Sequence, residues 1–226
     1  MKLERVVPWG RSLNDYLNMF HLTRSDFRAS ILDCAGGPSS FNVEMTQNHC
    51  RVTSCDPIYQ FSVAEIRQRI QEAYPEIVAK LGQTLDRFVW QEVHSPQQLG
   101  ELRMAAMERF LVDLERGISE KRYIVAELPD LPFDDRAFDL ALCSHFLFCY
   151  SEQLSLEFHF EAIREMCRVA KEARIFPILE NFTGVRSWHL DPLRAQLIEQ
   201  GYQVAIERIG YEFQKGGNEM LRVWRN

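Results

Sequence analysis

Long apolar runs are missing from this sequence. No stretch reaches the roughly 18 to 20 residues that a helix needs to cross a bilayer, so no membrane partner is expected. The first residues, Met1 to Pro8, mix Lys2, Glu4 and Arg5 with isolated apolar side chains and hold no signal-peptide core. A soluble, cytoplasmic protein is the expectation. Basic charge is also scarce. With 26 Lys and Arg against 32 Asp and Glu, the formal net charge is −6, which argues against a broad electrostatic footprint for nucleic acid and favours a small or neutral partner. The six cysteines, Cys34, Cys50, Cys55, Cys143, Cys149 and Cys167, form no CxxC pair and no zinc-knuckle spacing. His49, His94, His159 and His189 lack partners three or four positions away, so no metal is expected.

What is present suits one α/β domain over residues 1–226 with an elaboration, since 226 residues at 46% hydrophobic content can bury a full core. Ser30 to Cys34, Arg51 to Cys55, Tyr123 to Ala126 and Phe138 to Cys143 read as short buried strands, and Arg174 to Leu179 as a fifth. Helical spacing separates them, with Leu154, Phe158, Ile163, Met166 and Val169 on one face, which implies a mostly parallel sheet. Leu193, Leu197 and Ile198 mark a later helix that Gly201 stops as its C-terminal cap. The tail alternates from Gln203 to Phe213 and again from Glu219 to Trp224. Gly216-Gly217 between them signals an antiparallel hairpin.

Two helical additions frame this core. In the N-terminal segment, residues 1–29, Leu13, Tyr16, Leu17 and Phe20 share a helix face that Ser12 can cap. Residues 61–122 are far longer than a simple crossover requires. Val63, Ile66 and Ile70, then Leu99, Leu102 and Met107, predict an insertion of two or three helices, a candidate lid.

The chemistry concentrates at strand ends. Ile31 to Phe41 reads as a strand, a small-residue turn through Ala35, Gly36, Gly37, Pro38 and Ser39, and a helix start, where backbone N–H groups are free for an anionic ligand group. Asp56 closes the second strand, where a carboxylate accepts hydrogen bonds from a ribose diol. Turn and acid together indicate a nucleoside-containing ligand. A bare strand-to-helix connection, or an Asp56 that merely opens a turn with Pro57, is the plainer alternative. A nicotinamide site is disfavoured, because it needs a third glycine where Phe41 or Asn42 stands.

From Asp33 to Ser39 the sequence resembles the first motif of the class I S-adenosylmethionine-dependent methyltransferases, with Ala35 and Ser39 where glycines are usual. Val125 to Phe133 is similar to that family's third-strand end, and Phe138 to Leu147 to its fourth strand and exit. The resemblance implies a doubly wound, Rossmann-like seven-strand sheet, S-adenosylmethionine as cofactor with S-adenosylhomocysteine as product, and transfer of a methyl group. It places Asp33, Ala35, Gly36, Gly37, Pro38, Ser39, Asp56, Pro57, Ile58, Glu127, Leu128, Ser144 and His145 around the cofactor, with Glu127 facing the adenine amino group, a solvated residue before Pro129 being the alternative. Tyr16 reads as folding over the cofactor from the N-terminal segment, or else as a packing tyrosine. His145 is the candidate general base, a packing histidine being the alternative. Arg11 reads as an ordinary surface arginine, or else as the partner of the methionine carboxylate. Tyr74, Phe88, Trp90 and Phe110 in the insertion would line an acceptor pocket or form a helical core.

No Asn-Pro-Pro-Tyr or Asp-Pro-Pro-Tyr follows the fourth strand, where Ser144-His145-Phe146-Leu147 stands, so a small-molecule acceptor is the expectation. A cofactor-binding module of the same fold without turnover is the alternative. The sequence leaves monomer and homodimer open.

Overall fold

Residues 7–225 are described by the computed structural model. Met1, Lys2, Glu4 and Arg5, on which the targeting expectation partly rests, lie outside them. Along β1 (Ser30–Cys34) and β4 (Phe138–Ser144) nearly every side chain is buried, as expected of parallel strands covered on both faces. Their period of two sorts the residues. Leu32, Cys34, Ala141 and Cys143 share one core with α5 (Leu156–Val169) and α6 (Leu190–Glu199), whereas Ile31, Leu140 and Leu142 share another with α1 (Leu13–Met19) and α2 (Phe41–Gln47). Helices therefore cover both faces, and the sheet is doubly wound.

With β2 (Arg51–Cys55), β3 (Tyr123–Ile124), β5 (Ala170–Phe176), β6 (Gln203–Arg208) and β7 (Glu219–Trp224), the strand order is β3-β2-β1-β4-β5-β7-β6. The first five strands are parallel, and β7 lies antiparallel between β5 and β6. Strand order reverses between β1 and β4, the place where such sheets open a crevice at the carboxyl ends of their strands.

Three boundaries differ from expectation. β3 stops at Ile124 instead of Ala126, because this edge strand pairs only with β2 and the chain then turns, Asp130 N donating to Glu127 O at 3.0 Å. β5 starts at Ala170, straight from the end of α5, and finishes before Pro177, which has no N–H to give a ladder. The final hairpin is antiparallel as expected, and its Gly-Gly pair makes a tight turn, Gly217 N donating to Gln214 O at 2.7 Å with Gly216 at φ +80°, but that turn does not join the two strands directly. Residues 209–218 swing out to meet the insertion instead. Val89 N donates to Phe213 O at 2.7 Å, and Lys215 N to Arg87 O at 2.9 Å.

The insertion is two long helices, α3 (Val63–Gln83) and α4 (Pro96–Ser119), with a 3-10 turn at Leu85–Arg87 between them. Ser62 and Glu65 form a capping box at the start of α3, worth about 1 kcal/mol. Ile66, Ile70, Met107, Phe110 and Leu114 pack with Tyr59 and Tyr123 beside the sheet edge. Each such buried side chain contributes about 1.5–3 kcal/mol, so the helices are bound firmly to the domain. Ser12 caps α1, as expected, with Asp15 completing its capping box. Gly201 ends α6 at φ +84°.

Candidate functional site

The turn after β1 is held from below. Asp33 is fully buried, and its carboxylate accepts from Tyr16 Oη at 2.9 Å and Ser54 Oγ at 3.0 Å. Burial pushes its pKa up to about 7, opposed by those two hydrogen bonds. A Cβ at Gly36 would fall 2.4 Å from Asp33 Oδ2, so only glycine lets the turn cross this carboxylate. Ala35 and Gly37 both take positive φ, +52° and +54°. Alanine thus occupies a left-handed position that glycine adopts more cheaply.

Asp56 ties β2 to the same turn. Its Oδ2 accepts from Gly37 N at 3.0 Å and its Oδ1 from Ile58 N at 2.8 Å. Asp56 opens the turn with Pro57, the plainer of its expected roles, and also walls the cavity above. Each oxygen keeps a further lone pair for a ligand hydroxyl. Burial pushes the carboxyl up to about 6, the two backbone N–H donors pull it down, and Glu127 nearby adds to the rise.

These residues line one cavity of about 770 Å³, toward the upper end of the roughly 300–1,000 Å³ usual for ligand pockets. Of the residues expected around a cofactor, Tyr16, Ala35, Gly36, Gly37, Pro38, Ser39, Asp56, Pro57, Ile58, Glu127, Leu128, Ser144 and His145 all line it. Asp33 is the exception, lying beneath the turn with its oxygens turned to Tyr16 and Ser54. Glu127 is exposed.

His145 sits at positive φ, +51°, and its Nδ1 lies 3.0 Å from Ser144 Oγ. Burial, with Arg11 and Arg103 nearby, holds its pKa well below the usual imidazole value. The ring is neutral at physiological pH.

The expectation of a surface position for Arg11 is corrected. Arg11 is half-buried and lines the cavity. Its carbonyl accepts from Ser40 N at 3.0 Å and Ser39 Oγ at 2.7 Å, which lashes the N-terminal segment to the glycine turn. Among the described residues its guanidinium donates only to Trp9 O, at 3.1 Å, and burial lowers its pKa. Such a charge calls for an anionic partner.

Of the four insertion aromatics, only Phe88 reaches the cavity. Phe110 is core, Tyr74 packs near Trp9, and Trp90 packs on Phe88 and Phe213. Sequence reasoning missed Arg103, Tyr211, Phe182 and Phe213, all of which line the cavity. Arg103 left a signal, being a lone charge on the α4 face that carries Leu99, Ala106, Met107 and Phe110. The others come from connections without periodicity. Among the described residues no cluster of three or more His, Cys, Asp or Glu is placed to hold a metal ion, the six cysteines are free, and no helix is long and apolar enough to cross a membrane.

The donor set fits a nucleoside joined to a zwitterionic tail. A carboxylate with spare lone pairs suits a diol, the turn permits close backbone approach, and an unpaired guanidinium suits a carboxylate. Residues 95–176 match the family model for a methyltransferase domain. Over 226 residues the chain is 34% identical to the uncharacterized protein MJ0045 of Methanocaldococcus jannaschii, covering 100% of this chain and 99% of the relative. It is similar to the crystal structure of magnesium protoporphyrin IX methyltransferase from Synechocystis with bound SAM, at TM-score 0.48 and 12% identity over 95% of this chain and 78% of that one. Against the PH0226 protein of Pyrococcus horikoshii the values are 0.46 and 13% over 93% and 88%. The chain belongs to one family with MJ0045, and within it residues 95–176 carry the match to a methyltransferase domain.

Proposed function

We propose that this chain is a class I S-adenosylmethionine-dependent methyltransferase that methylates a small molecule held in the same cavity as its cofactor. One observation carries the reading. Beyond the strand-end residues, the cavity extends along an apolar wall from the α3–α4 insertion and the 209–218 connection, which gives a second ligand room beside the first.

In this reading Asp56 accepts from the ribose hydroxyls, Glu127 from the adenine amino group, and Arg11 pairs with the methionine carboxylate. The turn through Ala35, Gly36, Gly37, Pro38 and Ser39 passes beneath the ligand, with Asp33 and Tyr16 fixing its path. Pro57, Ile58 and Leu128 flank the base, and Ser144 and His145 face the reacting end. When bound, S-adenosylmethionine supplies a methyl group activated on a sulfonium. The chain's part is to align the acceptor in line with that group and to keep water out, effects that supply much of the rate enhancement in displacements of this kind. Neutral His145 has a ring nitrogen free of a proton and takes one from an acceptor that must lose it.

The test is radiolabelled methyl transfer to panels of small molecules, peptides and RNA, preceded by thermal unfolding with S-adenosylmethionine, S-adenosylhomocysteine and NAD. A ligand at a hundred times its Kd adds about 2.7 kcal/mol, so the first two raise Tm and NAD does not. Label found only in peptide or RNA would overturn the small-molecule reading.

A further inference from the structure

The cavity has a cationic corner that the cofactor assignment does not use up. Arg103 projects from α4 and is 93% buried at its side chain, which is only 7% exposed. One nitrogen, Nη1, donates to Asp15 Oδ2 at 2.5 Å, yet Nε is buried with no partner among the described residues. A buried N–H left unsatisfied costs about 1–3 kcal/mol, and Arg103 lines the cavity. Nearby stand Arg11, Tyr211 and His145, whose titrations Arg103 perturbs. The charged groups acting most strongly on Arg11 are Arg103 and Asp15. Asp15 is ion-paired with Arg103, and the Arg11 guanidinium donates to Trp9 O instead. The cavity's other acids, Asp56, Glu72, Glu76 and Glu127, come from β2, α3 and the turn after β3.

The wall next to this corner is apolar. Leu99 precedes Arg103 by four residues on α4, about 6 Å along the helix, and packs with Phe88, Phe182 and Phe213. The Phe88 ring lies 6.3 Å from that of Phe182 and 5.1 Å from that of Phe213, and all three line the cavity.

Building on the small-molecule reading, we propose that the methyl acceptor is an aromatic or similarly apolar carboxylic acid, its ring against Phe88, Phe182 and Phe213 and its carboxylate on Arg103. The carboxylate gives Nε a charged acceptor. The amide of the same shape offers only a neutral carbonyl oxygen, a weaker partner for a guanidinium, so discrimination resides in Arg103, with Tyr211 beside it.

The experiment uses matched pairs, phenylacetate with phenylacetamide and indole-3-acetate with indole-3-acetamide. Each is titrated by calorimetry into the enzyme saturated with S-adenosylhomocysteine. The acid of at least one pair binds about tenfold or more tighter than its amide, the scale of a charged hydrogen bond. Arg103→Gln abolishes that ratio while S-adenosylhomocysteine still binds as in the wild type. Arg103→Lys preserves charge toward Asp15 but loses the planar fork; it keeps part of the preference, and it decides the matter if Arg103→Gln does not fold. Equal affinities within both pairs, or no binding of either acid at millimolar concentration, would overturn the proposal. So would a loss of S-adenosylhomocysteine affinity in the Arg103 variants as large as the loss for the acid, which would assign Arg103 to the cofactor. Wild-type enzyme that fails to bind S-adenosylhomocysteine would overturn this proposal together with the methyl-transfer reading beneath it.

Discussion

Tyr16 Oη donates to Asp33 Oδ1 at 2.9 Å across 17 residues of sequence, and both side chains are buried. This bond joins α1 to the end of β1 directly beneath the glycine turn. The Tyr16 ring also stacks on Phe41 at 4.1 Å between centroids, so the helices on either side of the turn are locked to the same carboxylate.

Replacing Tyr16 with Phe removes a donor that holds the Asp33 pKa down. Asp33 titrates near 7 against an ordinary value of 3.8, so its contribution to stability is fully present below about 3.8 and is lost as pH rises to about 7. In Tyr16→Phe the falling limb extends to higher pH, and stability drops by about 1–3 kcal/mol. Asp33→Asn removes this share of the slope and leaves the share of Asp56, which ends near pH 6. Thermal unfolding of the cofactor-free protein from pH 4 to 8 checks all three.

Gly36→Ala drives a methyl group to within 2.4 Å of Asp33 Oδ2. Asp33 is pinned by two hydrogen bonds, so the turn itself must shift. We expect a loss of about 1–3 kcal/mol in stability and weaker S-adenosylhomocysteine binding. Gly82→Ala, near the end of α3 with nothing within 4 Å of the new methyl, stabilises by up to about 1 kcal/mol. Denaturant unfolding of the pair separates crowding from helix propensity.

Cofactor affinity should rise as pH increases through about 6. Asp56 is pushed up to about 6 in the free protein, and its ionised form is the stronger acceptor for ribose hydroxyls. Below that pH, binding must first displace a proton. Asp56→Asn flattens the dependence and costs about 1.5–3 kcal/mol, read by calorimetry of S-adenosylhomocysteine between pH 5 and 8.

His145→Gln tests proton transfer. A general base contributes about 10²–10⁴ in rate, so kcat falls by that range while S-adenosylhomocysteine affinity is retained. Because the wild-type imidazole titrates well below 6.5, kcat does not decline as pH falls through 6.5. A loss of less than about tenfold would reduce His145 to packing.

Much of the strand-end half of the cavity was legible because it is local. Ser30 to Cys34 and Arg51 to Cys55 are short apolar runs, and the turns that follow them carry their own chemistry in small residues and an acid. The apolar half was not. Phe182, Tyr211 and Phe213 lie on connections, where no period of two or 3.6 marks a buried face. Arg103 was visible as a charge among apolar neighbours, but only its place opposite Arg11 and Asp15 gives that charge a meaning.

By itself the sequence determined the strand and helix cores, the capping of α1 by Ser12, the glycine turn and the acid after β2, since each depends on neighbours within a few residues. Tertiary structure decided which groups face the cavity. It turned Asp33 away toward Tyr16 and Ser54, drew Arg11 down onto Ser39 and Ser40, and carried residues 209–218 across to the insertion. Those outcomes depend on hydrogen bonds and burial between segments far apart in the chain, and the cost of leaving a buried charge or N–H unpaired is set only once those segments have met.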